Sequence, residues 1–166
     1  IRTYVSLFSS AGVGCYGFKQ ENFYCIATVE LLERRMKIQR YNHKCVYDSG
    51  YICGDMTAKE TKEKVFAELD LWKRSYNDLD VLIATPPCQG MSVANHKKKD
   101  ELKRNSLVVE SICMVEKILP KFFIFENVRG FLKSICTDTD GNDRTIGNAI
   151  DLNLAGNYNI LYNVVN

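Results

Sequence analysis

With 166 residues, 46% of them apolar and 25% charged, the chain is long enough to close one hydrophobic core and too apolar to stay disordered. A formal charge of only +2 excludes a global basic field, so any contact with nucleic acid has to come from a local patch. The seven scattered cysteines (15, 25, 45, 53, 88, 113 and 136) include no Cys-x-x-Cys pair, which points to reduced thiols of a cytoplasmic or nuclear protein and to neither a disulfide frame nor a metal site; no membrane span, signal peptide or repeat is visible.

The first apolar run, Tyr4–Phe8, reads as a buried strand and leads into Ser9-Ser10-Ala11-Gly12-Val13-Gly14-Cys15-Tyr16-Gly17. A second strand over Tyr24–Val29 precedes a helix over Leu31–Tyr41, on which Leu32, Arg35, Met36 and Gln39 share a face. Tyr51–Cys53 forms a third strand, and Thr57 with Glu60 three residues on is a capping box opening a helix that carries Phe66 and Leu69. Val81–Ala84 is the fourth strand. The polar stretch Asn95–Arg104 reads as a loop before a helix over Ser106–Leu119, where Val108, Ser111, Ile112, Val115 and Leu119 form a stripe that Pro120 ends. Phe122–Phe125 and Tyr158–Val165 complete the strands, with a second loop at Thr137–Arg144. Strands alternating with helices predict an α/β fold, a doubly wound, mainly parallel sheet with helices on both faces, in one domain over residues 1–166.

Two groups of residues carry chemistry. In the first, the glycine turn has the spacing G-x-G-x-x-G, where Gly12 and Gly14 permit a tight turn and close approach of a ligand. Glu30 ends the second strand, where a carboxylate can accept from ribose hydroxyls, and Asp55 follows the third. Three successive strand ends thus point to a nucleoside-bearing cofactor, and both NAD and S-adenosylmethionine fit that layout. The turn has no Arg or Lys before Lys19 to meet a pyrophosphate, which favours the sulfonium compound. In the second group, Thr85-Pro86-Pro87-Cys88-Gln89-Gly90 places a thiol on a rigid turn straight after a strand, as a nucleophile requires. Glu126 emerges from the apolar run Phe122–Phe125 at the same edge, where burial is expected to favour its protonated form and make it an acid partner for the thiol.

The turn at Phe8–Phe18, Glu30, Gly54-Asp55-Met56, Thr85-Pro86-Pro87-Cys88-Gln89-Gly90-Met91-Ser92, Lys103-Arg104-Asn105-Ser106-Leu107 and Phe125-Glu126-Asn127-Val128-Arg129-Gly130, in this order, resemble the successive blocks of the cytosine-5 methyltransferases. The resemblance implies a Rossmann-like methyltransferase fold, incomplete at its C-terminal edge, with S-adenosylmethionine as cofactor and DNA as partner. It implies Cys88 as the nucleophile toward carbon 6 of a flipped-out cytosine and Glu126 as the group at ring nitrogen 3. It places Phe8, Gly12, Glu30, Leu31, Asp55, Met56, Pro87 and Leu107 around the cofactor. The segment with Gln89, Ser92, Lys97, Lys98 and Arg104, together with Arg129, would then meet the nucleic acid. Ser10 and Val13 stand where the family usually has glycine, and Leu31 where it often has an aromatic residue.

The chain begins inside an apolar segment without Met and stops before the family's Gln-x-Arg-x-Arg block, the strand that slots beside the fifth one, and the target-recognition region. That implies a fragment, or one half of a split enzyme completed by a second polypeptide, inactive by itself. Three other readings stay open at this level: a tRNA cytosine-5 methyltransferase, an NAD-dependent oxidoreductase, and a non-catalytic binding subunit.

Overall fold

The computed structural model describes residues 1–73, 78–87 and 98–165, with the backbone alone for 98–105. The chain comprises two compact units, one of Ile1–Thr85 and Ile118–Glu126, the other of Pro86–Lys117 and Asn127–Asn166.

The first unit is built on five parallel strands, β1 (Arg2–Leu7), β2 (Phe23–Glu30), β3 (Tyr51–Cys53), β4 (Val81–Ala84) and β5 (Phe122–Phe125), in the order β3-β2-β1-β4-β5. Helices α1 (Tyr16–Gln20), α2 (Glu33–Tyr41) and α3 (Lys59–Lys73) lie in the connections. The chain winds outward from β1 to β3 and then returns to β4 beside β1. Right-handed crossovers therefore carry α1 and α2 on one face and α3 on the other. All three helices touch β2, and its residues from Cys25 to Glu30 are buried without a break, as expected of a strand covered on both sides. The reversal between β1 and β4 is a switch point, where open α/β sheets bind ligands at the carboxyl ends of their strands.

The helical stripe on α2 is confirmed: Met36 and Gln39 are buried and Leu32 and Arg35 half-buried. β5 is different. It pairs with β4 alone among the described strands, and Phe122 and Ile124 are exposed, so it is an edge strand. Tyr158–Val165, expected as a sixth strand, is not one. That segment has no regular structure, with Leu161 and Val165 almost fully exposed, because β-branched and aromatic composition does not make a strand without a neighbouring edge.

In the second unit, α4 runs over Lys98–Ile118 and so begins eight residues before the expected Ser106, making Lys98–Arg104 helical rather than a loop. Lys, Glu and Arg are good helix formers but carry no apolar stripe, which is the signal that marks a helix in a sequence. Val108, Ser111, Ile112 and Val115 are buried as expected, whereas Leu119 is exposed in the left-handed region (φ 50°), just past the helix end. The second expected loop is a hairpin of β6 (Ile135–Thr137) and β7 (Asp143–Thr145), turned at Gly141 with φ 80°. Arg144 straddles it, bonded to buried Asp138 and, at 2.7 Å, to Asp140, whose carboxyl it holds far below the usual range. Thr145 then caps α5 (Ile146–Leu154) by accepting from the Asn148 N–H at 3.2 Å. The capping box at Thr57 is not formed: its hydroxyl turns back to Asp55 Oδ1. Among the described residues Cys15, Cys25, Cys45, Cys53, Cys113 and Cys136 are free thiols, and no helix is long and apolar enough to cross a membrane.

Asp80 ties the amino-terminal ends of the sheet together. Its carboxylate accepts from the Thr3 N–H at 2.8 Å and from the Lys121 ammonium at 2.8 Å. Burial raises its pKa, but the bonds from Lys121 and Thr3 outweigh this and hold it below the ordinary carboxylate value. A depressed folded-state pKa contributes stability that is present above the unfolded value, near ~4, and is lost as pH falls through the folded one. Asp80→Asn is expected to lower the urea midpoint at pH 7, with the gap to wild type closing as pH is taken below about 4. A gap of constant size across that range would refute this role.

Candidate cofactor and catalytic site

At the carboxyl end of β1 the backbone enters the left-handed region at Phe8 (φ 56°) and again at Ser10 (φ 51°) and Gly12 (φ 86°). Non-glycine residues avoid that region, so outside bonds must hold the turn. They come from both neighbouring strands. From β4, Thr85 donates its N–H to Leu7 O at 3.2 Å and its hydroxyl to Phe8 O at 2.9 Å. From β2, Val29 O accepts the Ser9 N–H at 3.0 Å, and Glu30 Oε2 accepts the Ser10 N–H at 2.8 Å.

Glu30 is 5% exposed, and its other oxygen, Oε1, accepts the Leu32 N–H at 3.0 Å, with Arg35 at 3.7 Å. It therefore binds the glycine turn to the entry of α2. A carboxylate offers about four lone-pair sites, so acceptor capacity remains for a ligand. Leu31 beside it is 61% exposed, an apolar face at the strand end. Asp55 is exposed after β3, with Oδ1 accepting from the Thr57 N–H and hydroxyl, both at 2.8 Å, while Met56 is buried. At Gly12 (φ 86°) a side chain would be strained and its Cβ would come within 3.1 Å of Gln39 Cγ, whereas an added Cβ at Gly14 would meet no protein atom within 4 Å. A cavity of about 360 Å³ lies beside the turn, lined by Gly12, Val13, Tyr16, Lys19, Gln39 and Lys44 among others.

The registers carry β4 and β5 to the same edge, Ala84 opposite Phe125, and the Glu126 N–H donates to Ala84 O at 3.2 Å. Glu126 is exposed, so the burial expected of its carboxyl is absent; β5 is an edge, and apolar neighbours in sequence do not enclose it. Pro86 is buried and Pro87 exposed. Cys88, Gln89, Ser92 and Lys97 lie outside the described residues. Lys98 and Arg104 lie on α4, as does half-buried Leu107, and Arg129 is exposed after β5. Asn127 was not singled out in the sequence, yet its Nδ2 donates to Pro86 O at 2.9 Å while its Oδ1 accepts the Val128 N–H. It thereby ties the Pro-Pro turn to the turn that follows β5. The bonds of Thr85 and Gln39 to the glycine turn are likewise not legible in the sequence, because nothing local reports a bond to a residue far along the chain.

A parallel sheet with its switch point at a glycine turn, an acid locked to that turn and a Pro-Pro turn on the next strand define an open α/β fold with its ligand edge at the switch point. The family model of the C-5 cytosine-specific DNA methylases matches residues 2–166, and the chain belongs to that family. It is 32% identical over 97% of its length to the type II methyltransferase M1.HgaI of Avibacterium volantium, covering 44% of that protein. It is 33% identical over 77% of its length to the type II methyltransferase M.AquIA of Picosynechococcus sp., covering 49% of it. The chain thus spans less than half the length of these relatives. Among solved structures, a DNA modification methyltransferase encoded within an E. coli prophage superposes over 97% of this chain and 40% of that one, with a TM-score of 0.63 at 19% identity, a likeness of fold.

Replacing Glu30 by Gln would turn an N–H donor toward one of the two backbone N–H groups. Amide exchange at Ser10 or Leu32 is expected to quicken by about tenfold or more, equivalent to roughly 1.4 kcal/mol of local protection, with strand β5 unaffected. Unchanged exchange at both amides would show that the carboxylate does not hold the turn.

Proposed function

We propose that this chain is the cofactor-binding and nucleophile-bearing part of an enzyme that transfers a methyl group from S-adenosylmethionine to carbon 5 of cytosine in DNA. The single observation that carries this reading is the family match over residues 2–166, with Thr85-Pro86-Pro87-Cys88-Gln89 and Phe125-Glu126-Asn127-Val128 both inside it.

The residues present suit the cofactor. At the ends of β1, β2 and β3 stand half-buried Phe8, exposed apolar Leu31, and the acids Glu30 and Asp55, with Arg35 drawn to Glu30. Apolar surface suits an adenine, spare carboxylate lone pairs suit ribose hydroxyls, and acids suit a cationic ligand better than a pyrophosphate. When bound, S-adenosylmethionine supplies a methyl group on a sulfonium.

Cytosine carbon 6 is a poor electrophile until positive character builds at nitrogen 3. Glu126, whose carboxyl is exposed until a base covers it, shares a proton with nitrogen 3 while the Cys88 thiolate forms a bond to carbon 6, and the electron pair displaced from the ring double bond makes carbon 5 nucleophilic. Carbon 5 takes the methyl group from the sulfonium, whose sulfur keeps the bonding pair and leaves as a neutral thioether. Loss of its proton to a base then re-forms the double bond and expels the thiolate. The target atoms lie inside the stack, so the base must be extruded at a cost of about a few kcal/mol. Asn127 bears on this step by holding Pro86, two residues before the nucleophile. Gln89, Ser92, Lys97, Lys98, Arg104 and Arg129 are assigned to the extruded nucleotide and its flanking phosphates. The exposed edge of β5 is where a further strand would attach, whether from the same chain or from a second polypeptide.

The test uses the complete protein and duplex DNA carrying 5-fluorocytosine. Fluorine blocks proton loss, so a cofactor-dependent covalent adduct mapping to Cys88 is expected, and Cys88→Ser should abolish it with turnover falling by about 10³-fold or more. Turnover of tRNA with none on duplex DNA would move the substrate to RNA. Undiminished turnover by Cys88→Ser would sink the mechanism.

A further inference from the structure

Behind the glycine turn lies a chain of polar side chains, most of them buried. Lys44 Nζ is 3.0 Å from Thr28 Oγ1, which is 2.7 Å from Gln39 Oε1 and 2.7 Å from Ser9 Oγ. Gln39 Nε2 lies 2.6 Å from Ser10 O and 2.8 Å from Ser9 Oγ, and Ser9 Oγ lies 3.0 Å from Val29 O. Thr28 and Gln39 are at most 1% exposed and Ser9 is 7% exposed.

Donor accounting gives this chain a direction. An ammonium only donates, so Thr28 accepts from Lys44 and its one hydrogen faces two acceptors, Ser9 Oγ and Gln39 Oε1, both at 2.7 Å; Ser9 Oγ already receives a hydrogen from Gln39 Nε2, so the larger share goes to Gln39 Oε1. Together with the Ser10 carbonyl, which can only accept, that sets the amide with its nitrogen toward the turn, where its two hydrogens go to Ser10 O and Ser9 Oγ. Ser9 then passes its hydrogen to Val29 O, which can only accept. The hydrogens thus run from the cation through Thr28 and Gln39 to the turn, and from the turn to β2.

We infer that Gln39 is a positioning residue for the cofactor turn, its amide oriented by Lys44 through Thr28. This rests on the cofactor reading above. Ser10 is held from opposite sides, its N–H by Glu30 and its C=O by Gln39, which keeps a non-glycine residue in the left-handed region. In a planar trans peptide the Ala11 N–H lies antiparallel to the Ser10 carbonyl, so the bond from Gln39 also aims that N–H away from α2. Gly12 completes the arrangement: a Cβ there would lie 3.1 Å from Gln39 Cγ and 3.4 Å from Lys44 Cδ, in a backbone conformation that already disfavours a side chain.

Gln39→Glu keeps the shape and removes both hydrogens, setting an oxygen against the Ser10 carbonyl. In the complete enzyme it is expected to raise the KM and the Kd for S-adenosylmethionine by about tenfold or more, leaving the KM for DNA and kcat at saturating cofactor within about threefold. Lys44→Met, which leaves the turn's direct bonds in place, should raise the cofactor KM by a smaller factor, and Lys44→Arg, still a donor-only cation, should restore it. Heat stabilisation of the wild type by S-adenosylmethionine is measured first. Its absence would overturn the cofactor reading and this inference with it. Stabilisation of the wild type, with Gln39→Glu binding as tightly, would overturn this inference alone. Should Gln39→Glu not fold, the Lys44 pair decides: equal cofactor KM for Met and Arg refutes the relay.

Discussion

The arrangement at the sheet's switch point depends on one carboxylate that uses both oxygens on main-chain N–H groups. Glu30 receives Ser10 on one oxygen and Leu32 on the other, so a single side chain sets the turn after β1 and the entry to α2. A buried carboxylate is tolerated only where such bonds replace its water. Its place at the last residue of β2 follows from the register, because β1 and β2 run parallel and end side by side. Remove that bridge and the strained backbone at Phe8 and Ser10 keeps the hold of Thr85 and Gln39 but loses the contact that couples it to the next strand.

The same economy governs the chain beyond β4. Two successive prolines cannot satisfy the sheet ladder, and the carbonyl of the first is instead taken by Asn127. The hairpin at residues 135–145 is closed by Arg144 between two aspartates, so that buried Asp138 is met by a guanidinium and by Asn153. In each case an irregular segment is held by one polar side chain reaching across from another element, and each such contact joins residues well apart in sequence or on opposite arms of a turn.

Much of this was legible from the sequence because the signals are local. Five of the six expected strands and the stripe on α2 follow from runs and periods that need no partner to be recognised. Tyr158–Val165 failed because a strand is defined by its neighbour, and the early turns of α4 failed because helix-forming polar residues carry no stripe. Glu126 illustrates the same limit: its apolar neighbours suggested burial, but exposure is decided by whether another strand lies alongside β5.

The sequence by itself determined the kind of fold, the order of its parts and the residues able to do chemistry, since hydrophobic period, glycine and proline placement and the spacing of the family's blocks are properties of the chain alone. Only the tertiary structure decided how Glu30 spends its oxygens, which way the Gln39 amide faces, and that a side chain at Gly12 would press on Gln39. Those are questions of direction and distance between residues far apart in the chain, and hydrogen bonds exist only where such residues are brought within about 3 Å in the right orientation.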